Sequence, residues 1–181
     1  IAEKGGIDAI VGAMHRHALH IEVQNAGCWT LGRLAQADGL RGKVVERGGV
    51  AVIVAGMVEH KEVAGMQKDA CRALANIASG PVGHEREDRR AQIGEKGGLD
   101  AIIAAMDRHW ANQEVQEWAL RALEKLSEHS GNVHRMRKST VRDCIYQAML
   151  HYCHSEVVQQ LGPTVLDNLK DLTTKLLELF H

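Results

Sequence analysis

Apolar residues recur every three or four positions along most of the chain, which is the spacing that places them on one face of an α-helix. The first such segment carries them at Ile7, Ile10, Val11 and Met14. A longer segment, with the same spacing, begins at Val23. The pattern predicts an all-α protein with a strand content near zero.

Two blocks of sequence recur at a common offset, which indicates internal repeats. The first block opens with a glycine pair and an apolar residue, at Gly5, Gly48 and Gly97. A methionine recurs 43, 49 and 43 residues apart, at Met14, Met57, Met106 and Met149. Since glycine tolerates the left-handed conformation, each glycine pair predicts a helix end followed at once by a new helix.

The second block is a long predicted helix with four copies, which begin at Val23, Met66, Val115 and Val158. The common offset predicts that four leucines are equivalent in space: Leu31, Leu74, Leu123 and Leu166. A short charged helix is predicted before the glycine pair, at 43–47 and 89–96. Six extra residues fall within 80–90, where we expect a polar loop insertion. Its charge run at 84–90 is interpreted as a solvated loop and helix start, and a docking or regulatory loop is the alternative.

Three helices in each unit, and the sequence ALANIA at 73–78, resemble the armadillo repeat. The HEAT repeat is the near alternative, although it usually has two helices and a proline in the first. The resemblance implies a right-handed α-solenoid of about four repeats, near 1–38, 39–80, 87–129 and 131–181. The chain is then a single domain and a piece of a longer array.

The two ends of the chain depart from the repeat. The first residues, IAEKGG, match IGEKGG at 93–98, so the chain is expected to begin inside a short helix. The segment 139–181 lacks the glycine pair and has Arg142 where Leu99 stands, and its last helix should continue through Leu172, Leu176 and Phe180. Because a terminal repeat turns one face to water, this segment is interpreted as a C-terminal capping repeat.

Composition narrows the classes of partner. There are 22 basic and 23 acidic residues, for a formal net charge of −1, which argues against nucleic-acid or membrane attraction. No signal peptide and no apolar run of about 18 residues is apparent. These features predict a cytoplasmic protein, with a nuclear location also compatible.

The sequence contains few residues or motifs that indicate catalysis, a cofactor or a bound metal. Four cysteines lie in apolar segments without a CxxC pair, which favours buried reduced thiols over disulfides. No phosphate loop, GxSxG or HExxH motif occurs. A zinc site at 151–154 and Cys153 as a nucleophile are weaker alternatives, and His17, His60 and His109 share one repeat position that suits a helix C-terminus. We therefore expect no enzyme activity, no cofactor and no metal.

The resemblance also implies a binding surface. In importins and catenins the third helices line a concave groove, where a ladder of asparagines binds the ligand backbone. That ladder falls on Arg33, Asn76, Lys125 and Asn168 here, and the position one turn earlier falls on Trp29, Arg72, Arg121 and Thr164. Trp118 is one residue out of register, so an importin-type site for basic targeting signals is not expected.

The groove positions are instead basic. The predicted peptide-binding residues are Trp29, Arg33, Lys68, Arg72, Asn76, Arg121, Lys125 and Asn168. We expect a protein-binding scaffold for an extended acidic or phosphorylated peptide. The simpler interpretation is that these are solvated helix residues, with Arg121 paired to Glu117 or Glu124 at helical spacing.

Two other functions stay open. A structural array could pack on a filament, axoneme or larger assembly through its convex or edge surfaces, and an enzyme or metal protein could use the histidine-rich segments. At the N-terminal edge, the apolar face of Ile7, Ile10 and Val11 lacks part of its cover, which predicts self-association there.

Overall fold

The computed structural model describes residues 5–170, and in that range it holds eleven α-helices and no strand. The helices are α1 (Gly6–Arg16), α2 (Ile21–Leu34), α3 (Leu40–Glu46), α4 (Gly49–Glu59), α5 (Ala64–Ala78), α6 (His84–Glu95), α7 (Gly98–Arg108), α8 (Gln113–Leu126), α9 (Ser130–Arg137), α10 (Val141–His151) and α11 (Glu156–Asn168). None of the eleven described helices is both long and apolar enough to cross a membrane. The all-α prediction is confirmed for this range.

Equivalent helices stack on one another in three rows. The helices α2, α5, α8 and α11, which we call the long helices, pack each against the next. A second row contains α1, α4, α7 and α10, and a third contains α3, α6 and α9. From α3 onward the chain thus forms successive triplets that contact their neighbours, which is the arrangement of a helical repeat protein.

A glycine in the left-handed conformation precedes three helices of the second row. Its φ angle is 74° at Gly5, 81° at Gly48 and 80° at Gly97. A residue with a Cβ is strained in this conformation, so glycine allows the chain to turn directly into the next helix. The expected role of the glycine pairs is confirmed. Helix α10 begins without one, after Thr140.

A glutamine near the start of each long helix closes the turn that precedes it. The Gln67 amide donates hydrogen bonds to the carbonyls of Met57 at 2.9 Å and of His60 at 3.0 Å. The same pair of bonds recurs at Gln24, Gln116 and Gln159. Since the last carbonyls of a helix have no partner within it, these amides satisfy groups that would otherwise be unpaired.

A second set of hydrogen bonds joins each triplet to the one before it. His60 Nε2 lies 2.7 Å from the carbonyl of Ala18, and His109 Nε2 lies 2.7 Å from that of Lys61. Tyr152 follows α10 at the same position, and its hydroxyl donates to the carbonyl of Trp110 at 3.1 Å. Because a carbonyl only accepts, both histidines carry a proton on Nε2. These side chains therefore connect neighbouring units.

The segment expected as a polar loop is largely helical. Helix α6 begins at His84, and its Arg89 and Arg90 are buried rather than solvated. Arg89 Nε donates to the carbonyl of Ile77 at 3.0 Å, and Arg90 Nε donates to that of Ala78 at 3.1 Å. The expectation was wrong because these arginines satisfy the open carbonyls at the end of α5.

The predicted equivalence of the four leucines holds for three of them. Leu31, Leu74 and Leu123 are fully buried, whereas Leu166 is partly exposed. Within the described residues α11 has one long-helix neighbour, α8, so one side of it is less covered. The expected beginning of the chain inside a helix, and the continuation through Leu172, Leu176 and Phe180, lie outside the described residues.

Candidate functional site

The predicted binding residues lie on the partly exposed side of the long helices, which we call the long-helix face. On α5 the pattern is clear, because Lys68, Arg72 and Asn76 are partly exposed and the residues between them are buried. One residue in each turn therefore reaches this face from α5. Trp29 and Arg33 occupy it on α2, Arg121 and Lys125 on α8, and Thr164 and Asn168 on α11.

On α2 the face carries a tryptophan and an arginine. Trp29 is 48% exposed, and the Cζ atom of Arg33 lies 5.7 Å from the centre of its ring. This is the range of a cation–π contact. Arg33 is exposed and forms no ion pair with any residue between 5 and 170.

A second and denser cluster lies where α5 meets α8. Trp118 is partly buried, with Arg121 at 5.3 Å and Arg72 at 6.0 Å from its ring centre. The repeat alignment placed Trp118 out of register and so left it out of the predicted site. Its position three residues before Arg121 on one helix was the signal, because residues at that spacing share a face.

Carboxylates lie close to several of the predicted cations. Arg72 lies 3.0 Å from buried Asp69, Lys68 lies 3.7 Å from Glu114, and Lys125 lies 2.8 Å from Glu124. Ion pairs therefore interrupt the basic positions of this face. In the described part of the chain, Arg33 and Arg121 are the two predicted cations without a carboxylate partner.

Arg121 does not make the local ion pair expected for a solvated helix residue. Glu117 accepts hydrogen bonds from Gln113 at 2.8 Å and from Ser155 at 2.7 Å, and Glu124 pairs with Lys125. The two nearby carboxylates thus have other partners. The guanidinium of Arg121 stays available above Trp118.

The two ladder asparagines join neighbouring long helices. Asn76 Nδ2 donates to the carbonyl of Gly32 at 2.9 Å, and Asn168 Nδ2 donates to Ser127 Oγ at 2.9 Å. Each of these nitrogens carries a second N–H, and each side chain has a carbonyl oxygen that can accept. Both residues can therefore support the helix stack and also bind a peptide backbone.

The cysteines and histidines form no comparable cluster. Cys28 and Cys71 are buried, and burial raises the pKa of Cys71 to about 12, so both stay protonated thiols at neutral pH. Cys144 is partly exposed and Cys153 is exposed, so the expectation of buried thiols is wrong for Cys153. Among residues 5–170, no three His, Cys, Asp or Glu side chains come together as a metal site.

No family model matches the chain. A stretch of 79 residues, 41% of the chain, is 32% identical to the protein aardvark of Dictyostelium discoideum. That stretch is 10% of the aardvark protein, so the chain spans a small part of the curated relative that it matches.

The fold is similar to that of two engineered proteins solved by the Northeast Structural Genomics Consortium. One is 23% identical with a TM-score of 0.74, and the match covers 90% of this chain and 62% of that one. The other is 22% identical with a TM-score of 0.78, over 93% of this chain and 65% of that one. The chain thus spans less than two thirds of either protein. The likeness shows the fold alone, which is an all-α helical repeat of the α-solenoid kind.

Proposed function

We propose that the chain is part of a right-handed armadillo solenoid of about four repeats, the last of them a cap, and that its long-helix face binds an extended peptide. It acts as a scaffold rather than an enzyme. The peptide carries carboxylate or phosphate groups opposite Arg121 and Arg33. The single observation that carries this proposal is Arg121, which stacks on Trp118 while both nearby carboxylates bond elsewhere.

The spacing of the helices suits an extended ligand. Packed helices lie about 8–10 Å apart, and an extended chain advances about 3.3–3.6 Å per residue, so neighbouring long helices meet roughly every third ligand residue. Arg121 and Arg33 lie on α8 and α2, which are separated by α5. The proposal therefore predicts two acidic positions about six residues apart, with Asn76 of α5 opposite the backbone between them.

The test compares matched variants in a peptide titration. Arg121→Gln and Arg33→Gln each remove one cation, whereas Arg72→Glu would place a carboxylate beside Asp69 and could unfold the helix pair. The control is Arg16→Gln, which removes a cation that is also exposed, from α1. Each face variant should weaken acidic and phosphorylated peptides by up to about fivefold, because an exposed ion pair contributes about 0.2–1 kcal/mol. Binding should also weaken with salt.

Two results would contradict this function. One is equal binding of acidic and basic peptides. The other is an effect of Arg16→Gln as large as that of Arg121→Gln.

A structural array is the second candidate, and one observation favours it. Large apolar side chains are exposed on α10 and in the turn after α7: Leu150 is 81% exposed, Trp110 55% and Tyr146 53%. Apolar patches of this kind often mark contacts between proteins. If acidic peptides fail to bind while Leu150→Lys abolishes association with a larger assembly, the array is the better description.

A further inference from the structure

A cleft of about 890 Å³ opens between α3, the turn after α5 and the first turns of α6. None of the residues of the long-helix face line it. The segment with the six extra residues, 80–90, forms one of its walls. Largely buried arginines lie at its base, and exposed carboxylates lie at its rim.

Two guanidinium groups meet at the base of the cleft. A carbon atom added at the Cβ position of Gly80 would lie 3.2 Å from Nη2 of Arg89 and 3.3 Å from Nη1 of Arg41. Both groups therefore border the same small space. The Arg89 side chain is 7% exposed and that of Arg41 is 14% exposed, so little water screens them from each other.

Backbone carbonyls hold these arginines in place. Arg89 donates to the carbonyls of Ile77 and Ser79, both at 3.0 Å. Arg41 Nη2 donates to the carbonyl of Gln36 at 3.1 Å. The Nε atom of Arg41 is buried and has no hydrogen-bond partner in the structure as described. Arg86, which also lines the cleft, pairs with Glu87 and Glu128, both at 3.5 Å. The carbonyls thus position both arginines, and Arg41 retains an unused donor.

Carboxylates line the cleft as well, at Asp38, Glu46, Glu85 and Asp88, and two of them lie near the arginines at its base. Asp38 pairs with Arg41 at 2.9 Å and Glu85 lies 3.9 Å from Arg89, but their side chains are 91% and 95% exposed. Water screens such exposed pairs strongly. The pKa of Arg89 is lowered, first by burial and then by the positive charge of Arg41. An anion between the two arginines would offset the repulsion between them.

We propose that this cleft binds a phosphate-class dianion between Arg41 and Arg89. Arginine suits this role because its planar fork donates two parallel hydrogen bonds to phosphate oxygens. The cleft is larger than one ion, so it has room for a molecule that carries the phosphate. A free phosphate and a phosphorylated side chain share this chemistry.

The experiment titrates the full chain with inorganic phosphate, phosphoserine peptide and chloride at constant ionic strength, and follows amide ¹H–¹⁵N shifts. Phosphate should move the signals of Gly80 and Gly83 saturably, and chloride should not. Arg41→Gln should weaken phosphate binding about tenfold or more, because a hydrogen bond to a charged group is lost. The matched control is Arg47→Gln, which lies outside the cleft and should change the affinity less than twofold.

Tighter binding of the phosphoserine peptide would support the site and assign the phosphate to a protein, whereas equal binding would support it and assign the phosphate to a free ion. The absence of saturable shifts in the unaltered protein would overturn the proposal. An equal loss in Arg41→Gln and Arg47→Gln would also overturn it.

Discussion

Gln67 donates two hydrogen bonds from a single buried nitrogen, to carbonyls three residues apart at the end of α4. A carbonyl left unpaired in the interior costs free energy, so this side chain satisfies two such groups at once. Gln159 makes the equivalent bonds before α11 but is exposed, where water can replace it. The two residues therefore offer a matched comparison of the same contact in two environments.

Replacement of Gln67 by alanine should lower the free energy of unfolding by about 1–3 kcal/mol, because one buried and one partly buried carbonyl lose their donor. Gln159→Ala should cost clearly less. Urea unfolding followed by circular dichroism measures both. Equal losses would mean that burial of the carbonyls does not govern the cost.

The leucines allow a second comparison. Leu74→Ala should cost about 2–5 kcal/mol, because the long helices on both sides of α5 cannot collapse into the cavity. Leu166→Ala should cost less, since Leu166 is already partly exposed. The same unfolding experiment serves, and a larger loss at Leu166 would contradict the described packing.

The burial of Cys71 predicts how the free energy of unfolding depends on pH. The pKa of Cys71 is raised by burial to about 12, above the value of about 8.5 for an unfolded cysteine. The stability from its burial is therefore complete below pH ~8.5 and is lost as pH rises from there toward ~12. Cys71→Ala should flatten the fall in unfolding free energy over this range, and Cys153→Ala, at an exposed site, should leave it unchanged.

At the scale of the element, the glycines that start helices can be separated from glycines within helices. Gly97 has a φ of 80°, whereas Gly65 lies inside α5 with no atom near the position of a Cβ. Gly97→Ala should destabilise by about 1–2 kcal/mol because of backbone strain. Gly65→Ala should be neutral or stabilise by up to about 1 kcal/mol, because alanine favours helix. Melting temperatures that shift in the same direction would contradict this account.

The repeating elements were predictable because their signals are local. The glycine pair at Gly97 marks the start of a helix, and the apolar spacing around Leu74 marks the buried face of another. Both signals involve only residues that are close in sequence. Helix α6 was partly missed, because its Arg89 and Arg90 look solvated until the carbonyls at the end of α5 are placed beside them. The sequence around a charged segment does not show which backbone carbonyls its side chains will bind in the folded protein.

The candidate site was predicted in part for a similar reason. Repeat register placed Arg33, Arg72 and Arg121 on one face, but it could not assign their partners. Asp69 neutralises Arg72 from the same helix, and Ser155 of a later segment draws Glu117 away from Arg121. Such choices depend on contacts between units, which a repeat alignment does not contain.

For the whole molecule, the N-terminal end of the stack yields a prediction. Ile7 is buried, but Ile10 and Val11 are partly exposed and Leu19 is 75% exposed. A copy of 39–92 fused ahead of Ile1 would continue in register, because Ile1 corresponds to Ile93. The fusion should raise the melting temperature and reduce self-association, as measured by calorimetry and sedimentation. An unchanged temperature and mass would contradict a role for this edge in association.

The bonds that His60, His109 and Tyr152 make across unit boundaries all end on a main-chain carbonyl. Every residue supplies such a carbonyl, whatever its side chain. A duplicated unit would therefore find its acceptor already present in the unit before it, without a matching mutation there. Tyr152 stands where the two earlier units have His60 and His109, and it still bonds to a carbonyl of the unit before it. Such a boundary lets a gene lengthen or exchange its units one at a time, and it offers a designer the same freedom.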